Sequence, residues 1–166
     1  YLTRKGMRID LGAIAKGYAA DEAVRLLLEK EIDKGIIDFG GNIIVFGSKK
    51  SNDPWRVGIQ QPDHSRGRYF GIAKLDEGAV VSSGTYERFS EADGVRYHHI
   101  LNPGTGYPAR NELESVTLVT PSGTEADGYS TAVFVLGLEE GYHFVEEAED
   151  LEGVFVTRDR NVYLSS

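Results

Sequence analysis

Three groups of residues carry types and spacings that could do chemistry. In Ala126-Asp127-Gly128-Tyr129-Ser130-Thr131-Ala132, Asp127 and Thr131 stand four apart in a segment of helical character. That spacing points both side chains the same way. A carboxylate and a hydroxyl on one face suit a hard, oxygen-preferring ion such as Mg2+, which completes its shell with waters and substrate phosphates. The same spacing also serves a plain hydrogen bond on a helix face, and spacing alone leaves both open. Arg8-Ile9-Asp10-Leu11-Gly12-Ala13-Ile14-Ala15-Lys16-Gly17 forms the second group, a strand end, a thin turn and a helix start. Unpaired N–H groups at a helix start, with Lys16 beside them, suit a phosphate, and Asp10 faces whatever lies over that helix end. A tight packing turn is the alternative. Third, His98-His99 precede Ile100-Leu101-Asn102-Pro103, and a histidine titrates near neutrality, so it can pass a proton. Ser82-Ser83-Gly84 lacks the G-x-S-x-G elbow and a placed acidic partner, which excludes a serine hydrolase.

These groups need elements to hold them. Tyr1 to Ile9 is expected as an opening strand. A helix follows to about Glu31, with Ala20, Ala23, Val24, Leu27 and Leu28 on one face and closure through Lys30, Asp33 and Lys34 followed by Gly35. Ile36 to Phe46 reads as a strand interrupted by Gly40-Gly41, either a bulge or a floor under a flat ligand. Ser48 to Pro54 and Gln61 to Arg68 are loops by composition. Strands are expected at Trp55–Gln60, Tyr69–Leu75, Ala79–Ser82, Tyr97–Leu101 and Glu114–Thr120. Asn102-Pro103-Gly104-Thr105-Gly106 makes a rigid turn. Ser122 or Thr124 caps a helix from Glu125 to about Leu136, and Glu139 to Glu149 forms a short acidic helix with a solvated face. Val154–Thr157 and Asn161–Leu164 close the chain as a hairpin. The expected fold class is α+β, a mainly antiparallel sheet with flanking helices, with residues 1–166 forming a single domain.

The 166 residues are 40% hydrophobic and 27% charged, values of a globular chain with a real core. No apolar run reaches the length of a membrane span, and the N-terminus has no signal-peptide pattern. The absence of cysteine excludes disulfides and thiolate metal sites. A net charge of −8 argues against a nucleic-acid partner. It also means that a pyrophosphate entering this protein needs a cation between the two, which points again to a divalent metal.

The stretch from Asp10 to Asp21 resembles the D-L-G-G-I-A-K-G-Y-A-x-D signature of the ApbE-type FAD:protein FMN transferases. Five further blocks resemble that family in the same order. They are Asp38-Phe39-Gly40-Gly41-Asn42-Ile43, Pro54-Trp55-Arg56-Val57-Gly58-Ile59, Ser82-Ser83-Gly84-Thr85-Tyr86-Glu87-Arg88, Tyr97 to Pro108, and Ala126 to Ala132. The resemblance implies an ApbE or T-fold-like architecture and Mg2+-dependent transfer of FMN from FAD to a Thr or Ser hydroxyl of a partner protein, with release of AMP. It implies Mg2+ ligands at Asp127, Thr131 and the backbone carbonyl of Ala13, FAD contacts at Asp10, Lys16 and Leu101, and a functional histidine at His99. Tyr86, Glu87 and Arg88 are expected near the pocket. The implied partners are FAD and a flavin-acceptor protein. Family members are usually about twice this length, and the part before Tyr1 is expected to supply much of the adenosine and flavin pocket. Membrane attachment is expected only through a segment this sequence does not contain, in an extracytoplasmic or periplasmic, membrane-associated setting. Two other readings share the same residues: an FAD pyrophosphatase, with water replacing the acceptor, and a non-catalytic flavin-nucleotide-binding fragment. Asn102 stands where the family usually has Asp. Asp127 to Val133 also loosely resembles the family's acceptor site, but Val133 has no hydroxyl to receive FMN.

Overall fold

A six-stranded sheet forms the centre of the computed structural model, which describes residues 1–49, 53–62, 64 and 67–166. The expected loops at 48–54 and 61–68 fall partly on Lys50, Ser51, Asn52, Asp63, Ser65 and Arg66, which lie outside the described residues. In chain order the elements are α1 (Ala15–Glu29), β1 (Gly35–Phe39), β2 (Asn42–Phe46), β3 (Trp55–Gln60), β4 (Tyr69–Leu75) and β5 (Gly78–Gly84). They continue with β6 (Phe89–Ala92), β7 (Val95–His98), β8 (Leu113–Thr120), α2 (Gly123–Leu136), α3 (Leu138–Glu147), β9 (Glu152–Thr157) and β10 (Val162–Leu164). The sheet order is β1-β2-β5-β8-β9-β10, antiparallel throughout, with β3-β4 and β6-β7 as separate two-stranded hairpins. This is the α+β, mainly antiparallel architecture expected from the sequence.

Strand periodicity divides the core into two sides. Along β2 and β5, Ile44, Ala79 and Val81 pack with Ala20 of α1 and Ala126 of α2. Their neighbours Val45 and Val80 point the other way, against Val57 of β3. Adjacent residues take opposite faces because successive strand side chains alternate. A third cluster joins Val116 and Leu118 of β8 to Val133 and Phe134 of α2, Val145 of α3 and Phe155 of β9. The helices thus lie on one face of the sheet and the β3-β4 hairpin on the other. β8 is central and covered on both faces, which is why it reads as a nearly continuous buried run.

Several sequence expectations are corrected by neighbours the sequence does not display. Residues 1–9 form no strand: Tyr1, Leu2, Met7 and Ile9 are exposed, and no described strand pairs with this segment. A strand without a partner lacks the hydrogen bonds that define it. Gly40-Gly41 is not a bulge within one strand. Both residues have positive φ (68° and 99°) and make the two-residue turn between β1 and β2, the conformation such hairpins demand. The first helix ends before Gly35. Glu31 takes the left-handed conformation at φ 63°, with its N–H on Leu28 O and the Ile32 N–H on Leu27 O, a Schellman closure. β6 is a strand beyond those expected, and Asp93-Gly94 (φ 51° and 73°) supplies its hairpin turn to β7. The α3 helix is not wholly solvated, because Gly141 and Val145 bury one face against the core. Among the described residues no helix is long and apolar enough to cross a membrane.

Candidate active site where two helices meet

The start of α1 and the start of α2 touch through glycine. A Cβ on Gly17 would stand 2.0 Å from the Gly123 carbonyl oxygen and 2.8 Å from Asp127 Cβ. A Cβ on Gly123 would stand 2.3 Å from Ile44 Cδ1. No real side chain tolerates these distances, so the backbones approach as closely as they do because both residues are glycine.

Two carboxylates fasten this contact in opposite directions. Asp21 of α1 accepts from the Gly123 N–H (2.8 Å), the Thr124 N–H (2.9 Å), Thr124 Oγ1 (2.6 Å) and Ser122 Oγ (3.2 Å). It therefore caps α2 from the neighbouring helix, alongside Ser122, whose Oγ accepts the Glu125 N–H. In return Asp127 of α2, only 4% exposed, accepts the Gly17 N–H at 2.9 Å on Oδ2. Its Oδ1 accepts no hydrogen bond from the described residues. The N–H groups expected to await a ligand at the start of α1 thus include one already given to Asp127.

This clasp brings the turn that leads into α1 against the helix that carries Asp127 and Thr131. Thr131 lies one turn beyond Asp127, its Oγ1 3.4 Å from the Asp127 carbonyl oxygen and 3.4 Å from Ser83 Oγ of β5. Ser83 Oγ also lies 3.0 Å from buried Ser130 Oγ. Ala13 is exposed in the turn that leads into α1, four residues before Gly17, and the adjacent Ile14 packs over Gly128 of α2. Asp10 is exposed at the start of that turn and accepts the Gly12 N–H at 2.7 Å, so it shapes the turn as well as facing solvent. Lys16 reaches sideways to the β1-β2 hairpin, where its Nζ donates to Asn42 Oδ1 at 2.8 Å.

The donor set at Asp127, Thr131 and Ser83 is all oxygen. Among the described residues, no group of three or more His, Cys, Asp or Glu could hold a metal. One carboxylate with hydroxyls and a main-chain carbonyl fits Mg2+, which keeps several waters and takes phosphate oxygens to fill its shell. It does not fit zinc, which prefers nitrogen and sulfur.

The two histidines stand in different surroundings. His98 is buried, its Nε2 donating to the Ala109 carbonyl at 2.9 Å and its ring set edge-on to Phe134 with centroids 5.9 Å apart. Phe134 lies one turn beyond Ser130 and Thr131 on α2, so this contact seats the foot of the β6-β7 hairpin along the same helix. His99 is exposed at that foot. Its backbone N–H and its Nδ1 both reach the Arg88 carbonyl at 3.1 Å. A carbonyl only accepts, so Nδ1 carries hydrogen and the neutral ring presents Nε2 as its basic nitrogen. Arg88, expected near the pocket, thus contributes through its main chain. Leu101 is exposed and bridges Pro108 across the Asn102–Gly106 turn. There Asn102 Oδ1 accepts the Gly104 N–H at 2.8 Å. The amide oxygen holds the turn as a carboxylate oxygen would, and the His99 ring is held by Arg88 instead.

Sequence reasoning missed Asp21, Ser83 and Asn42 as parts of this arrangement. Each stands inside a block that drew attention for other residues. Their roles rest on contacts 26 to 103 positions away in the chain.

Comparison with known proteins places the whole chain. The profile of the ApbE family matches residues 1–155. The FAD:protein FMN transferase of Klebsiella pneumoniae is 40% identical over 166 residues, covering 100% of this chain and 51% of that protein. That of Treponema pallidum is 40% identical over 173 residues, covering 99% and 48% respectively. The crystal structure of the ApbE protein from Thermotoga maritima superposes with a TM-score of 0.89 at 38% identity, over 98% of this chain and 52% of that one. The chain spans about half the length of the curated relatives it matches. With the profile covering nearly its whole length and the fold shared, the chain belongs to the ApbE family.

Proposed function

We propose that this chain carries the pyrophosphate-handling part of an FAD:protein FMN transferase, which moves FMN from FAD to a Thr or Ser hydroxyl of a partner protein and releases AMP. The observation that carries the reading is the Gly17–Asp127 hydrogen bond. It sets Asp127 and Thr131 against the turn that holds Asp10, Ala13 and Lys16, in a chain whose curated relatives bear that enzyme name.

Asp127, Thr131 and the Ala13 carbonyl would hold Mg2+, which when bound offsets the charge that develops on the phosphate oxygens. Lys16 brings a second cation to the same anion, and its ammonium retains two donors beyond the one given to Asn42. His99 Nε2 takes the proton of the acceptor hydroxyl as that oxygen attacks the phosphorus on the flavin side. The bond from that phosphorus to the bridging oxygen breaks, and the bridging oxygen leaves with AMP. Positioning and electrostatic stabilisation supply most of the acceleration in phosphoryl transfer, which suits a site with so few catalytic groups.

The test is FAD binding by this chain with Mg2+ and with EDTA, for the wild type and Asp127→Ala, followed by turnover with a Thr-containing acceptor peptide. Metal-dependent binding lost in the variant, and a peptide gaining the mass of FMN, bear the proposal out. Release of FMN and AMP without peptide labelling would assign a pyrophosphatase instead. Binding indifferent to both metal and variant would sink the proposed site.

A further inference from the structure

Asn42 poses a problem that the proposed chemistry resolves. It is 2% exposed, and its Nδ2 is buried without a hydrogen-bond partner. An orphaned buried donor is destabilising, and native structures contain few of them. The amide cannot simply be turned over, because its Oδ1 accepts from Lys16 Nζ at 2.8 Å and an NH2 group in that place would meet a second donor. An apolar residue would remove the orphan at once. The position therefore keeps an amide for what its oxygen does.

That oxygen ties Lys16 down without neutralising it. Lys16 is exposed and makes no ion pair among the described residues, so its full positive charge stands at the first turn of α1. An aspartate at position 42 would hold the ammonium equally well but cancel its charge, and would set a second negative group beside an arriving anion. A neutral acceptor fixes one ammonium hydrogen and leaves the charge and two hydrogens for a ligand. Asn42 is itself rigidly placed: it opens β2 directly after the Gly40-Gly41 turn, paired with Phe39, and the Asp38 carboxylate accepts the Gly41 N–H at 2.7 Å.

We infer that Asn42 is a positioning residue for pyrophosphate binding, holding the Lys16 ammonium in place as an uncompensated cation. This rests on the reading of Lys16 as an FAD contact. It makes the β1-β2 hairpin part of the binding machinery although none of its side chains need touch the nucleotide.

The experiment is a double-mutant cycle read as FAD affinity in Mg2+ on the full chain, using Lys16→Ala, Asn42→Ala, Asn42→Asp and the two double variants, with a thermal melt of each. Lys16→Ala should weaken FAD about tenfold, the scale of one lost charge-assisted bond. Asn42→Asp should weaken it by about as much and Asn42→Ala by roughly threefold, while the melt of Asn42→Ala stays near wild type because the orphaned donor goes with the acceptor. Once Lys16 is Ala, Asn42→Ala should alter affinity by less than about twofold, while Asn42→Asp, whose carboxylate repels the anion whether or not Lys16 is present, should still weaken it. An equal effect of Asn42→Ala with and without Lys16 would show that Asn42 acts only through the fold, and would overturn the inference. Unchanged affinity in Lys16→Ala would instead overturn the reading of Lys16 itself. A wild-type chain that takes up no FAD overturns both.

Discussion

Gly17 and Asp127 stand 110 positions apart and are joined by one hydrogen bond, the Gly17 N–H donating to Asp127 Oδ2 at 2.9 Å. Because Gly17 also touches the Gly123 carbonyl, the bond exists only while both helix starts remain bare of side chains. Gly17→Ala places a Cβ 2.0 Å from that carbonyl and forces the helices apart. Its expected effect is a loss of about 2–3 kcal/mol in urea unfolding, the upper range for overpacking. Gly128→Ala is the matched control. Its Cβ meets Ile14 Cδ1 at an ordinary 3.6 Å, and the gain in helix propensity should leave stability equal or up to about 1 kcal/mol higher. Similar losses in both would show that the close approach at Gly17 does not govern the junction.

Asp21 makes the other half of the clasp. Asp21→Ala removes the acceptor of two N–H and two O–H donors at the start of α2. Ser122 remains as a cap, so the helix persists, but the Gly123 and Thr124 N–H groups lose their partner. A cost of about 2 kcal/mol is expected, the high end for a lost cap. Because Asp127 rides on the same helix, hydrogen exchange of the Gly17 amide should also quicken. Exchange unchanged at Gly17 would separate the two carboxylates and contradict a shared clasp.

The metal reading makes a prediction that needs no FAD. Mg2+ at a hundredfold excess over its dissociation constant should stabilise the wild type by about 2.7 kcal/mol, read as a rise in Tm. Asp127→Asn keeps an oxygen able to accept the Gly17 N–H, so it should fold, but it loses the charge that binds the ion. Its Tm should not respond to Mg2+. An equal response in wild type and variant would place the ion elsewhere.

Much of this was legible in the sequence, and the misses share a cause. Ser122 and Thr124 both offer a cap near the start of α2, and the structure uses Ser122, two residues earlier than a start at Glu125 implies; the Asp127–Thr131 spacing needs only the helix itself. Asp21 was hidden because an acid in an amphipathic helix reads as solvated, and only the arrival of α2 beside it reveals a cap. Gly40-Gly41 was read as an interruption because β-branched residues flank it on both sides, although Gly-Gly between two such runs is also a hairpin signal. Asp93-Gly94 carries the same signal, but its flanking residues Phe89–Ala92 are all exposed and show no alternation. A strand over Tyr1 to Ile9 needs a partner to pair with, and the sequence of the segment does not supply one.

Glu31 follows from the same limit and gives a prediction of opposite sign. It occupies the left-handed position at the end of α1 with φ 63°, where glycine suffers no clash from a Cβ. Its side chain makes no hydrogen bond or ion pair among the described residues. Glu31→Gly should therefore stabilise the chain by about 0.5–1 kcal/mol, against the usual cost of introducing glycine. Destabilisation in urea melts would mean the backbone there is not left-handed.

His98 makes stability depend on pH. Burial is the main influence on its ring and pushes the pKa below the ordinary 6.5; the neighbouring charges of His99 and Arg158 push the same way, while the Ala109 carbonyl and Glu114 oppose them. The folded chain therefore holds this proton less tightly than the unfolded chain does. Where the unfolded state binds more protons, stability rises with pH. The contribution is complete above about pH 6.5 and is lost as the pH falls below that value toward the depressed folded pKa. His98→Gln removes the titration while keeping a donor for the Ala109 carbonyl. Wild type should lose Tm more steeply than His98→Gln between about pH 7.5 and about pH 5.5, whatever the offset between their curves. Parallel curves would mean that His98 accepts a proton as readily in the folded chain as in the unfolded one. Burial against Phe134 would then not be what keeps the ring neutral.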